Sequence, residues 1–491
     1  MNAHTELTSG LKLPSGALID GTFQAAKNGG TFETKNPYNG DLIAILPSCD
    51  AADVDVAVAS ARAAFESGVW SGLHPSERKA VLSKLADLIE ENAEELAVME
   101  AMDAGKPISD CRDVDVPETA ACIRWHGEAQ DKLYDQIAPS SPDAVGLIVR
   151  EPIGVVAAVL PWNFPLLMMA WKIGPALATG NSVVVKPAEQ TSLTALRLGE
   201  LALEAGVPPG VLNIITGFGP EVGEPLGRHM DVDAVTFTGS TEVGRKFLIY
   251  AAESNVKEVC LEMGGKSAAV ILSDAADIPR IAEIQSNAIY WNMGENCTAN
   301  SRIIAHKDVY DEVVTEMVKA ASAWTLGDQM DEATQNGPLV SEEHYAKVSD
   351  LVKTGKAQGA TVAHGGEGAG GLLFKPTVFA DVAPEMDIFT QEIFGPVVGV
   401  TKVDSDEEAI ALANATEYGL AATLYTKDIS KAHRFARQLK AGTVGINAYS
   451  EGEISTPFGG FKASGFGGRD NGIHAHEQYT ELKTIWIDLT A

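Results

Sequence analysis

Cysteine is scarce in this chain. Cys49, Cys111, Cys122, Cys260 and Cys297 are few, odd in number and widely spaced. No CxxC pair or Cys/His cluster suggests zinc, so no metal is expected, and a reduced compartment fits best. Positive charge is also short: 37 Lys and Arg stand against 67 Asp and Glu, a net charge of -30. Phosphate surfaces would repel such a chain, which argues against nucleic-acid and anionic-membrane partners. A long unbroken apolar run is missing too. The most apolar stretch, "PIGVVAAVLPWNFPLLMMAWKIGPALA" from Pro152 to Ala178, contains Pro161, Asn163, Pro165 and Lys172. Two prolines so close would break a spanning helix, and Asn163 would be costly in lipid; a buried strand, a turn and a buried helix are expected instead. The opening "MNAHTELTSG" lacks the basic-then-apolar order of a signal peptide. A cytoplasmic protein is the resulting expectation.

The 491 residues, 45% hydrophobic and 21% charged, have ordinary globular composition. At roughly 150 residues per domain, two or three domains are expected. Residues 51–66 and 76–104 read as amphipathic helices, with Asp50 and Ser76 as N-caps and Gly105 and Pro107 ending the second. After Pro152, short Val/Ile-rich runs ("GVVAAVLP", "SVVVKP", "VLNIITG", "AVTFTG", "VCLEM") alternate with helices near 165–179, 192–205, 221–228 and 241–252. Continuous apolar runs alternating with helices predict a parallel, doubly wound sheet buried on both faces. A second alternation after Gly264 includes "SAAVIL", helices at 278–292 and 309–324, "SRIIAH", "VVGVTKV", "AATLYT" and "GTVGIN", and predicts a second α/β domain. "GGEGAGG" (365–371) reads as a loop or hairpin turn. "AVGLIVREP" (144–152) and "YTELKTIWIDL" (479–489) alternate polar and apolar residues, and each reads as an edge or arm strand. Pairing with another subunit would cover the terminal one; a strand packed on its own domain is the alternative.

Three strand ends carry nucleotide-like turns. "GFGPEVG" (217–223) misses the Rossmann fingerprint by one residue. "FTGSTEVG" (237–244) would turn at Gly239 and cap a helix with Ser240 and Thr241, presenting the helix N-terminus to a pyrophosphate. "KPAEQT" (186–191) ends a third strand, where open parallel sheets bind ligands. Each alone is equally an ordinary capped turn. In "WNMGENCTAN" (291–300), Cys297 stands among small and polar neighbours, unlike a packing cysteine. A nucleophilic thiol needs a lowered pKa or a nearby base, and donors for an oxyanion. Glu262 leaves a buried strand in "LEMGGKS" and suits a general base; Asn163 in "PWNFP" carries an amide on a rigid turn. Spacing alone does not bring the three together.

"PWNFP", "KPAEQT", "FTGSTEVG", "LEMGGKS", "GENC", "EIFGPV" and "PFGGFKASG" occur in that order, and together they resemble the NAD(P)-dependent aldehyde dehydrogenase superfamily over nearly the whole chain. "HEQYTELKTIWIDL" and residues 150–187 look most like the γ-glutamyl-γ-aminobutyraldehyde and related aminoaldehyde dehydrogenases. The resemblance implies an α/β fold: a Rossmann-like cofactor domain (1–130 and 153–264), an α/β catalytic domain (265–470), and a small β oligomerisation arm (131–152 and 478–491) that builds a homo-oligomer, a dimer or a homotetramer. It implies Cys297 as nucleophile, Asn163 with the Cys297 backbone N–H as oxyanion donors, and Glu262 as the base that hydrolyses a thioester. Because members that transfer the acyl group to coenzyme A generally lack that carboxylate, Glu262 points to a free acid. Lys186 and Glu189 are assigned to the adenosine ribose, which favours NAD over NADP because a carboxylate repels a 2′-phosphate. Gly239 and Ser240 fall at the pyrophosphate turn, with Gly244 closing the motif; Trp162 lines the same crevice, and Glu392 and Phe394 match the nicotinamide-ribose positions.

The small-molecule substrate implied is an aminoaldehyde or other ω-substituted aldehyde. Phe164 and Trp171 match the tunnel walls, although either aromatic could be plain core. Glu451, Glu453, Asp113 and Asp115 match positions bordering the tunnel mouth, where they would attract a cation. Two departures stand out: Glu295 replaces the commoner Gln, and "SGFGGRDNG" leaves open whether Arg469 or Asp470 takes the usual acidic position. Alternatives are betaine aldehyde or aliphatic aldehydes as substrate, a thiol acyl-transfer enzyme without redox, and a non-catalytic nucleotide-binding oligomer.

Overall fold

The computed structural model describes residues 11–490. The polar opening segment 1–10 and residue 491 lie outside the described residues. Two sheets organise the rest. The first has eight strands in the order Thr22–Gln24, Ala17–Ile19, Leu212–Ile214, Ser182–Lys186, Val155–Val159, Ala234–Gly239, Glu258–Met263 and Gly465–Phe466. Its five inner strands from Leu212–Ile214 to Glu258–Met263 are parallel, and the outer pairings are antiparallel. The second runs Thr361–His364, Thr377–Ala380, Val397–Val403, Arg302–His306, Ala268–Ile271, Ala421–Tyr425 and Thr443–Ile446, parallel except at its first pairing.

The apolar runs form strands because both sheet faces are covered. Val156, Ala158, Val183 and Val185 enter one core with the helices Pro75–Glu91, Pro165–Ala178 and Leu193–Ala205. Val155, Ala157, Val159 and Val184 enter another with Ala51–Glu66 and Thr241–Ala252. Ala269 and Ile271 oppose Ala268 and Val270 in the same way in the second sheet. Each buried Val or Ile contributes about 1.5–3 kcal/mol relative to exposure. Among the described residues, no helix is long and apolar enough to cross a membrane.

The structure departs from the sequence pattern in four places. The expected helix 76–104 is two helices, Pro75–Glu91 and Ala93–Ala104, broken at Asn92. The Asn92 backbone leaves helical values there (φ -105°, ψ 22°), and its side chain donates to the Leu88 carbonyl at 2.7 Å beside the Asn92 N–H that also reaches it. The first of these helices is capped by His74 and not Ser76, because Pro75 already occupies the first helical position. The helix 278–292 stops at Tyr290, since Asn292 and Met293 are left-handed (φ 53° and 57°) and cannot continue it. Finally, 144–152 and 480–488 pair with each other, Thr480 opposite Pro152 through Asp488 opposite Ala144. Gln136–Ala138 adds a third strand to this arm. "GGEGAGG" forms part of a small hairpin, Gly368–Gly370 with Leu373–Phe374. Gly465–Phe466, sequence-distant from the first sheet, crosses back to pair with Glu258–Met263.

Candidate active site

A cavity of about 850 Å³ opens between the two sheets. From the first sheet it receives the turns that follow Val159, Gly239 and Met263; from the second come the 291–297 loop, the start of the helix Glu342–Ala357, the 392–394 turn and the 449–454 segment. This is where parallel sheets collect ligands, because successive strands end side by side there with their loops free. Pro165 starts a helix and Pro161 holds the preceding turn, so Asn163 sits on a rigid, buried bend.

Cys297, Asn163 and Glu262 all line this cavity. The Asn163 amide donates to the Glu295 carbonyl at 2.9 Å. Asn292 donates to the same carbonyl at 3.0 Å and to the Asn163 main-chain carbonyl at 3.1 Å. Gly265 lets the Cys297 carbonyl pack against it, at a distance where any Cβ would collide. Cys297 is partly accessible. Removal from bulk water, with the carboxylates of Glu451, Glu392 and Glu262 nearby, pushes its thiol well above the ordinary value. Burial first, and then these acids, work against the thiolate, so of the two routes open to a nucleophilic thiol, a lowered pKa or a nearby base, the surroundings of Cys297 do not favour the first.

Burial, then Asp470, pushes the Glu262 carboxyl well above its ordinary range, opposed by Lys172 and Arg469. Its Oε2 has no hydrogen-bond partner among the described residues. Lys172 and Asp470 form a buried pair at 2.6 Å. Asp470, not Arg469, is thus the buried acid of the "GGRDNG" segment.

On the cofactor side, Ser240 caps the helix Thr241–Ala252, accepting the Val243 N–H at 3.3 Å. Trp162, Gly239, Ser240, Glu392 and Phe394 line the cavity, and Thr238 Oγ1 there has no partner among the described residues. Glu392 accepts the Gly265 N–H at 2.7 Å. The Trp162 ring stands edge-on to Phe394 at 5.3 Å and to His344 at 4.9 Å. Lys186, Glu189 and Gly244 do not line this cavity. Lys186 and Glu189 form an ion pair at 2.9 Å, and Gly244 is where the helix packs closely on Met263. A capped helix N-terminus and an unpartnered hydroxyl, in a cavity of about 850 Å³, fit a dinucleotide.

On the substrate side, Phe164 and Trp171 line the cavity and pack edge or tilted on Trp291 (5.3 Å) and Phe458 (5.0 Å). Glu451 and Glu453 also line it. Glu451 accepts from Asn296 at 3.0 Å, Tyr449 at 2.8 Å and Thr298, the neighbours of Cys297. Asp113 and Asp115 do not line it. Asp113 is exposed, and Asp115 is buried against Lys106 at 2.7 Å. Val114, Glu118 and Ala121 take the wall instead, one helical face at spacings of four and three. Glu118 was the residue to find, and only the helical spacing from Val114 could have marked it. Lost water, then Glu451, Asp115 and Glu453, push its carboxyl up to about 7. His344, Lys347, Tyr449 and Asn292 carried no sequence signal either.

The aldehyde dehydrogenase family profile matches residues 23–485. The chain belongs to the aldehyde dehydrogenase family. It is 53% identical over 485 residues to the aminoacetaldehyde dehydrogenase of Pseudomonas aeruginosa, covering 99% of this chain and 98% of that one. A structure of indole-3-acetaldehyde dehydrogenase with NAD+ superposes at TM-score 0.98 with 48% identity, covering 99% of both chains. The γ-glutamyl-γ-aminobutyraldehyde dehydrogenase of Burkholderia cenocepacia superposes at TM-score 0.97 with 46% identity, again over 99% of both. This aldehyde dehydrogenase is an enzyme that oxidises aldehydes, and its mixed α/β fold is that of these relatives.

Proposed function

We propose that this aldehyde dehydrogenase uses NAD to oxidise an aminoaldehyde to the free acid, and that Cys297, Asn163 and Glu262 carry the reaction. The observation that supports this most is that the three side chains, far apart in sequence, line one cavity whose wall carries Glu118, Glu451 and Glu453. The Cys297 sulfur, once deprotonated, adds to the aldehyde carbon. Asn163, with the Cys297 backbone N–H, holds the resulting alkoxide. Bound NAD+ supplies the hydride acceptor, and the NAD+ complex of the indole-3-acetaldehyde relative favours that cofactor. Trp162, Ser240, Glu392 and Phe394 would hold it, with Lys186 and Glu189 at its adenosine end. Glu262 takes a proton from water as the water oxygen attacks the thioester carbon; the second alkoxide then expels the sulfur and releases the acid.

The named activities of the Pseudomonas and Burkholderia relatives, both ω-amino or amino-substituted aldehydes, support the substrate class. The test compares kcat/KM for aminoacetaldehyde, γ-aminobutyraldehyde, its γ-glutamyl derivative, betaine aldehyde and hexanal. The cationic substrates should lead hexanal by about tenfold or more, the size of one charge-assisted contact. Glu118→Gln should erase part of that lead. Because Glu118 ionises near 7, the lead should widen from pH 6 to 8. No advantage for the charged aldehydes would remove the acidic-wall reading. The ring-lined wall formed by Phe164, Trp171, Trp291 and Phe458 favours one second reading, an apolar or aromatic aldehyde such as the indole-3-acetaldehyde of the other relative; it predicts that hexanal or an aryl aldehyde leads instead.

The arm supports a homo-oligomer, a dimer or tetramer. Leu482 and Trp486 are exposed on its outer strand, whose far edge has no partner among the described residues, and Leu489 is exposed just beyond it. Sedimentation should give a multimer, and Trp486→Glu with Leu482→Glu should shift it towards monomer. Five unpaired cysteines suit a reducing cytoplasm.

A further inference from the structure

The turn that presents Asn163 is gripped by a buried cation that takes no place in the cavity wall. Lys106 follows the left-handed Gly105 that ends the helix Ala93–Ala104. It is 1% exposed. Three contacts define its ammonium: the Asp115 carboxylate at 2.7 Å, the Phe164 ring face at 3.8 Å from the centroid, and the Asn163 main-chain carbonyl, to which it donates at 3.3 Å. That carbonyl also accepts from Asn292 at 3.1 Å. The same Asn292 amide reaches the Glu295 carbonyl at 3.0 Å, and the Glu295 carbonyl is the acceptor of the Asn163 side-chain amide at 2.9 Å. The backbone and side chain of Asn163 are therefore closed into one ring of hydrogen bonds, and Lys106 is the charged member bonded to it.

Stability is a poor account of this lysine. A buried ion pair is often matched or bettered by apolar side chains of the same volume, so its presence points to fixed geometry. We infer that Lys106, ion-paired with Asp115, is a positioning residue that fixes the Asn163 carbonyl and so aims the Asn163 amide at the substrate oxygen. The inference rests on Asn163 being an oxyanion donor, as proposed above. A donor amide works only where the oxyanion forms, and a misplacement near 1 Å costs about a hundredfold in rate. Lys106 and Asn292 together hold the peptide bond from which that amide hangs.

The test is a cycle on the full-length enzyme. Lys106→Met with Asp115→Asn removes cation and carboxylate together, so neither member of the ion pair is left without the other; Glu100 and Asp110, which also feel the Lys106 charge, make the melting temperature a necessary control. Rapid mixing with NAD and aldehyde reads the rate of the first NADH turnover. The pair variant should slow that burst about 10- to 100-fold, with the KM for NAD and the melting temperature little changed. Asn163→Ala should slow it about 100- to 1000-fold. Added to Asn163→Ala, the pair substitution should cost almost nothing more, because its effect runs through the amide already removed. Equal losses in both backgrounds, or an unslowed burst in the folded pair variant, would overturn the role of Lys106 alone. An Asn163→Ala enzyme with an undiminished burst would overturn the oxyanion reading and this inference with it. If the pair variant does not fold, Lys106→Arg, which keeps the charge and the partner but redirects the donors, carries the same comparison.

Discussion

Cys297→Ala should abolish NADH production while leaving NAD binding intact. In the proposed mechanism the sulfur adds to the aldehyde before a hydride leaves, because an aldehyde carbon holds no ready hydride donor until a nucleophile has joined it. Removal of a nucleophile of this kind typically costs on the order of 10⁴–10⁶ in turnover. Cofactor affinity, measured by quenching of tryptophan fluorescence or by calorimetry, should stay within a few-fold, since the groups proposed to hold NAD, Ser240, Glu392 and the capped helix N-terminus, remain. A Cys297→Ala enzyme that still reduces NAD at a tenth of the original rate would move the chemistry to another group. Because burial and the carboxylates of Glu451, Glu392 and Glu262 hold the thiol up, the rate of the first turnover should rise with pH beyond neutrality. The sign follows from the thiolate being the reactive form.

Glu262→Gln should separate the two halves of the reaction. The amide cannot take a proton from water, so the thioester should persist. The variant should release about one NADH per active site in a fast phase and then turn over roughly 10²–10⁴ times more slowly. Mass spectrometry of the stalled protein should find the acyl group on Cys297. Full steady-state activity would remove Glu262 from hydrolysis, and loss of the burst itself would shift its task to the thiol. In the unmodified enzyme the second half should also climb with pH, because burial and Asp470 raise the Glu262 carboxyl and only its ionised form accepts a proton. Asp470→Asn removes the second of these causes and should move that limb to lower pH; Lys172 would then face an uncharged partner, so the variant's melting temperature needs checking alongside.

The runs "GVVAAVLP" and "SVVVKP" were legible because a strand covered on both faces must be apolar at every position, and both faces of these strands are covered. The helices at 51–66 and 241–252 were legible from Asp50 and Ser240, whose caps satisfy the first N–H groups through local bonds. Asn92 was missed because its departure from helical dihedrals, held with a side-chain bond to Leu88, is a local choice that composition does not announce. The pairing of 144–152 with 480–488 joins segments more than three hundred residues apart, and alternation marks a strand without naming its neighbour.

From the sequence by itself came the two α/β repeats, the arm strands, the family and the order of its motifs, since each depends on residues close together in the chain. The tertiary structure alone decided that Cys297, Asn163 and Glu262 border one cavity, that Glu118 faces it while Asp113 and Asp115 do not, that Asp470 is the acid beside Glu262, and that Lys106 grips the turn behind Asn163. The physical reason is that hydrogen bonds, burial and charge act over a few ångströms. Which groups come within that range depends on how the two sheets and their loops pack, and that is a property of the whole chain at once.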